Sequence, residues 1–297
     1  MKPVVSPGGK TVLTAHQMRW GVDQWAAYLS GQELPCMPRS KVMLAALEQV
    51  KGEFLSAREL ADIVSADPFL CLRLLREAEK RRTQRLGHET TTPLAAVMQL
   101  GVDGFRELLL SSPETDEDNL GLAACEARSH LAAQLALQWG SARSDISPEE
   151  VALATLLAEM GELLLWAFAP ELPLAALEAL ESGRADRSAH AQEQVCGFVF
   201  KQLTLKCAVI WSLPSLVQQL IRGADNPRAN LSRICVDTAR HLAAGPESSA
   251  LPSDLAAARK MIPGASLQWL AERMVGLDEA RRGQVIKEAE EILRAEG

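Results

Sequence analysis

The chain has 297 residues, of which 47% are hydrophobic and 23% charged, and carries a net charge of −7. That length suits one large or two modest domains, and the acidic balance argues against broad binding of nucleic acid or anionic membrane, which needs a basic surface. Aromatic residues are only 4%, so the core is expected to be built mainly from Leu, Ala, Val, Ile and Met.

The first residues, MKPVVSPGGKT, hold no apolar run after Lys2, so no secretory signal is read there. Gly9-Lys10-Thr11 has the ending of a phosphate-binding loop. Val4, however, stands where that loop needs its first Gly, and there is no room before Ser6 for the required strand. A flexible terminus is expected instead.

Helical segments are expected at 16–29 and 38–51. Ser56 then opens SARELADIVSA with Glu59 three residues on, the spacing of a reciprocal cap, and Leu55 and Leu60 have the spacing of a hydrophobic staple. Asp67-Pro68 starts another helix, with Asp as cap and Pro in the first turn. Further helices are expected at 93–110 and 122–140. Ser147-Pro148 begins one that runs through LLAEMGELLLWAF (156–168), placing Glu159 and Glu162 in the middle of an apolar helix. The two acids interrupt Val151–Pro170, so no membrane span is expected there. The rest reads as helices at 172–182, 190–210, 214–222, 228–243, 252–261, 266–275 and 278–295. Alternating strand-like runs are absent, and the chain reads as all-α. Two polar segments, 111–119 and 245–254, read as linkers.

Chemistry-bearing residues are scattered. Cys36, Cys71, Cys125, Cys196, Cys207 and Cys235 form no C-x-x-C pair and are expected to be reduced, small hydrophobes. His16, His88, His130, His190 and His241 show no metal-ligand spacing, and no G-x-S-x-G elbow is present. The densest charge is Arg73, Arg76, Lys80, Arg81, Arg82 and Arg85, offset there only by Glu77 and Glu79. Arg73, Arg76 and Lys80 share one helix face. The run is a candidate interaction patch for a phosphate, a nucleotide or an acidic partner, although such runs are more often solvated faces. No aromatic residue interleaves to stack bases.

Taken together, several segments resemble the HDOD family, all-helical bacterial signalling domains related to HD phosphohydrolases. ELPCMPRSKVMLAAL (33–47) is similar to the family's Leu-Pro-x-x-Pro opening. SARELADIVSADPFLCLRLLRE (56–77) is similar to its most recognisable stretch. TTPLAAVMQLGVDGFRELLL (91–110) and GFVFKQLTLKCAVIWSLP (197–214), ending in Trp211, Leu213 and Pro214, follow in the family's order. Where HD enzymes carry Leu-Leu-His-Asp-x-Gly-Lys, this chain reads Leu156-Leu157-Ala158-Glu159-Met160-Gly161-Glu162. Ala158 therefore stands at the His position, Glu159 at the Asp position and Glu162 at the Lys position. Ser129 stands where the first His belongs. His130 follows it, turned about 100° around the helix. Phe200 takes a further His position, and Asp237, in ICVDTARHLA, stands at the final Asp. The Asn-Ser-Ala-like turn of relatives is replaced by Glu77-Ala78-Glu79-Lys80-Arg81-Arg82.

The resemblance implies a two-lobed helical fold: an N-terminal extension (1–30), a helical lobe (31–115), a degenerate HD-like lobe (120–244) and a C-terminal helical tail (253–297). Two carboxylates without imidazole do not make a usual transition-metal site, so neither metal, cofactor nor catalysis is expected. The expected role is that of a non-catalytic regulatory module in the bacterial cytoplasm, acting on protein partners or by self-association, without membrane or nucleic acid. The alternatives are a metal-dependent HD phosphohydrolase and a nucleotide or nucleic-acid binder working through residues 73–85. Glu159 is expected to be buried and neutralised or paired with Arg128 or His130, and Glu162 to lie at the solvent edge.

Overall fold

The capping chemistry legible in the sequence is what starts the helices. In the computed structural model, which describes residues 13–85 and 89–296, all regular secondary structure is helical. The first group is α1 (Val22–Ser30), α2 (Pro38–Lys51), α3 (Ala57–Ala66), α4 (Pro68–Arg85), α5 (Pro93–Leu100) and α6 (Val102–Ser111). The second is α7 (Leu120–Gly140), α8 (Pro148–Leu156), α9 (Met160–Phe168), α10 (Glu171–Glu181), α11 (Ser188–Cys196), α12 (Phe200–Ile210), α13 (Ser215–Arg222) and α14 (Pro227–Ala244). The chain closes with α15 (Leu251–Met261), α16 (Leu267–Ala271) and α17 (Glu279–Glu296). At the start of α3, the Glu59 N–H donates to Ser56 Oγ at 3.3 Å and the Ser56 N–H donates to Glu59 Oε2 at 3.0 Å. Asp67 caps α4 by accepting from the Leu70 N–H at 2.9 Å.

Three segments that periodicity reads as single helices are each two, the first of them with its break at the Leu-Gly where the family resemblance ends one helix and begins the next. The 93–110 segment breaks at Gly101 (φ 79°) and the 190–210 segment at Gly197 (φ 75°), where positive φ suits glycine. The 148–168 segment breaks without a glycine. Leu157 leaves α8 with φ −95° and ψ 0°, and Glu159 is the N-terminal cap position of α9. Glu159 therefore lies in a turn, not in mid-helix. The 16–29 segment is reduced to a short 3₁₀ turn at Gln17–Arg19 and α1, separated by an extended Gly21. The 111–119 linker is pinned: the Cys36 N–H donates to the Pro113 carbonyl at 2.8 Å, and the Thr115 N–H to the Cys36 carbonyl at 2.9 Å. The second linker is shorter than expected, because α15 begins at Leu251. The SPGGKT segment lies outside the described residues.

Two buried clusters organise the packing. One runs from α1–α6 into α7 and α9–α13, so the two groups of helices share apolar surface. The other joins α7, α8 and α14 to α15–α17 through Trp139, Leu251, Leu255, Leu270, Met274 and Val285. The indole N–H of fully buried Trp139 donates to the Leu270 carbonyl at 3.2 Å. The C-terminal helices are thus core elements of the second group. α1 also packs on that group, against α12, with Lys206 2.6 Å from Asp23. Pro148–Phe168 is long and apolar enough to cross a membrane, but most of it is buried inside the protein. All six cysteines are buried and free.

α9 and α12 cross at Gly161. A Cβ there would lie 2.5 Å from the Phe200 carbonyl oxygen and 2.8 Å from Thr204 Oγ1. The Gly161→Ala variant is expected to lose about 2–4 kcal/mol by urea unfolding, because backbone cannot yield as a side chain can. Gly264→Ala, which meets nothing within 4 Å, is expected to change stability by less than about 1 kcal/mol.

Candidate functional site

Asp67 joins two of the segments singled out in the sequence. It is fully buried. Besides capping α4, its Oδ2 accepts from the Met37 N–H and from Ser40 Oγ, both at 2.7 Å. The Leu-Pro-x-x-Pro segment is therefore fixed to the Asp-Pro helix start by one carboxylate. Burial pushes the Asp67 carboxyl up, opposed by these hydrogen bonds and by Arg39.

The HD-like position is built around Glu159, which is 6% exposed. Arg128 on α7 donates from Nε to Glu159 Oε2 at 2.6 Å, and Arg240 on α14 donates from Nε to Oε1 at 2.6 Å. Arg128 also donates from a terminal nitrogen to Glu162 Oε1 at 2.9 Å. Glu159 is thus buried and paired with Arg128, with Arg240 as a second partner that sequence reasoning missed. Glu162 is not at the solvent edge. Its side chain is 17% exposed and belongs to the same ion network, because the break before α9 turns its first residues toward α7.

The other HD-like positions supply no metal-binding donor beside Glu159. Ser129 is buried with its hydroxyl unpartnered. Phe200 is in the apolar core, and Ala158 has no donor atom. Asp237 does not join Glu159 in any hydrogen bond or ion pair; its charge acts on Asp254 of α15, which His241 contacts at 2.6 Å. His130 does not contact Glu159 either. Its Nδ1 lies 3.3 Å from the Ser65 carbonyl, and its Nε2 2.8 Å from Gln134. No cluster of three His, Cys, Asp or Glu suited to a metal occurs among the described residues. The donor set at this site does not fit a catalytic metal: one carboxylate is already bound by two guanidinium cations, which would repel a metal ion.

Beside this network, α7 presents Glu126 toward the first group of helices. Glu126 is 3% exposed, and its Oε1 has no partner. Burial, and then the Asp67 charge, push its carboxyl up to about 7, while Arg39 pulls it down.

The basic run on α4 does not form one solvated face. Arg73 donates to the Leu34 carbonyl at 2.5 Å, and the Arg76 guanidinium sits 4.7 Å above the Trp211 ring centre. Lys80 lies 3.7 Å from Glu77. Arg81 pairs with Glu77 at 3.4 Å and donates to the Leu100 carbonyl. The side chains of Arg82 and Arg85 lie outside the described residues.

Known proteins share this architecture. A family model for the HDOD domain matches residues 34–227. The solved structure of the response regulator MmoQ from Methylococcus capsulatus str. Bath is similar, with a TM-score of 0.60 and 21% identity over 86% of this chain and 99% of that one. A virulence factor from Campylobacter jejuni subsp. jejuni is similar at TM-score 0.69 and 15% identity, over 89% of this chain and 97% of that one. At these identities the likeness concerns the fold. No curated protein matches the chain.

A carboxyl raised in the fold binds its proton there more tightly than in the unfolded chain, so Glu126 removes stability as pH rises from about 4.5 to about 7. Urea unfolding at pH 5 and pH 8 is expected to show Glu126→Gln losing part of the wild-type decline. At pH 8 the variant should be more stable than wild type by at most about 3 kcal/mol. An unchanged decline would refute this assignment.

Proposed function

The chain belongs to the HDOD family, which is related to HD phosphohydrolases, and on that premise we propose that it is a non-catalytic regulatory module. It works in a bacterial signalling pathway by contact with protein partners, or with a second copy of itself, in the cytoplasm. The observation that carries this reading is the Arg128–Glu159–Arg240 network. In a hydrolytic site, a carboxylate at this position would help hold the metal that activates water. Here two guanidiniums take its oxygens, and the neighbouring donor positions hold Ser129, Ala158 and Phe200. The site is better suited to holding α7, α9 and α14 together than to turning over a substrate.

Two further observations favour contact over catalysis. Val42, Val50 and Phe54 leave apolar side chains exposed on and just after α2, Phe54 at 90%, which is the kind of surface that protein contacts bury. One structural neighbour is a response regulator, a role that agrees with regulation.

Metal analysis and hydrolysis assays test the reading against the phosphohydrolase alternative. The full chain, purified without chelator, is expected to hold much less than one metal ion per molecule. It should show no turnover of phosphomonoesters, phosphodiesters or nucleotides above that of Glu159→Gln. Stoichiometric, tightly held metal together with turnover abolished in Glu159→Gln would overturn it.

A further inference from the structure

Arg76 is the one described member of the basic run whose charge has no acidic or carbonyl partner. It is half-buried, and among the described residues its guanidinium makes no hydrogen bond or ion pair; it lies over the Trp211 ring. Arg73 precedes it by one turn on the same face of α4. The Arg73 side chain is 15% exposed, and its Nε is buried without a partner. Both arginines line a cleft of about 210 Å³ between α4, α6 and the 32–34 segment, with Gln32, Leu34 and Leu108 in its walls. Burial first, and then the Arg73 charge, lower the Arg76 pKa. Arg73 Nε is buried and unpartnered, which carries a desolvation cost, while the half-buried Arg76 fork adds a second positive charge that no carboxylate pairs.

We propose that this cleft binds the phosphate group of a small ligand, with Arg73 and Arg76 as its donors. A dianionic group with several oxygens matches two planar guanidinium forks better than a single carboxylate does. The cleft also selects for size. Glu33, 3.7 Å from Arg73, and Glu77 line it as well, together with Lys80. The three cations outnumber these two carboxylates, and a volume of about 210 Å³ suits a phosphate or pyrophosphate group better than an extended nucleic-acid backbone. Because Arg76 also rests on Trp211 at the end of α12, a bound anion touches the joint between the two groups of helices. The site is independent of the Glu159 network, so its failure and that of the regulatory reading are separately visible.

Isothermal titration of the full chain with inorganic phosphate, pyrophosphate and ADP tests the proposal. Pyrophosphate is expected to bind at one site per chain. Arg76→Gln and Arg73→Gln should each weaken it at least about ten-fold, the worth of one charge-assisted hydrogen bond. Arg259→Gln, remote from the cleft, should leave binding unchanged. Arg76→Lys retains the charge over Trp211 and serves if Arg76→Gln does not fold; it should fold and still bind more weakly than wild type. Equal binding of pyrophosphate and ADP supports a free phosphate group as the recognised unit, and tighter ADP binding that is still lost with Arg76 supports the same site in a nucleotide ligand. No binding of any of the three at millimolar concentration, or binding indifferent to both arginines, overturns the proposal.

Discussion

A carboxylate that water barely reaches needs partners for its oxygens, and at Glu159 they come from two helices distant in sequence. Arg128 comes from α7 and Arg240 from α14, each 2.6 Å from a different carboxylate oxygen. Leaving such a charge buried and unpaired typically costs about 3–5 kcal/mol, so the three residues constrain one another's helices. Two of them, α7 and α14, together with α8, are also the helices against which α15–α17 build the second core cluster. The ion network and the C-terminal packing therefore both act on α7 and α14.

Local chemistry is readable in the sequence, and tertiary chemistry only in part: the Glu159–Arg128 pair is expected from it, and Arg240 is not. Ser56, Glu59 and Asp67 act within three residues of their own helix starts, so their roles follow from spacing alone. Gly101 and Gly197 end helices that apolar periodicity would carry onward, and the positive φ that each adopts is not written in that periodicity. The break at Leu157–Glu159 was harder still: every neighbour is apolar or helix-compatible, and the turn coincides with a carboxylate engaged by partners 31 and 81 residues away. Arg240 was invisible for the same reason. Asp237, three residues earlier on the same helix, looked like the functional residue because it fits a family position. In the structure its charge is felt by Asp254 and it makes no hydrogen bond or ion pair with Glu159.

The family segments acquire physical meaning once the contacts are known. The Leu-Pro-x-x-Pro opening and the Asp-Pro helix start are joined in space because Asp67 bonds to both. The Trp-x-Leu-Pro ending places Trp211 under Arg76, and its indole N–H donates to the Ser30 carbonyl at 3.3 Å. One aromatic residue thus touches both α4 and the end of α1. The basic run likewise divides into distinct jobs: Arg81 serves the end of α5, while Arg73 and Arg76 face a cleft. Charge density in the sequence marks the region, and the contacts of its described members differ one from another.

The most direct test is a double-mutant cycle on Glu159→Gln and Arg240→Gln, read by urea unfolding in EDTA and again with added manganese. The account predicts a coupling of at least about 1 kcal/mol between the two residues, the same in both conditions. Coupling near zero, with wild-type stability raised by manganese and that of Glu159→Gln unaffected, would show that Glu159 serves a metal and not the arginines.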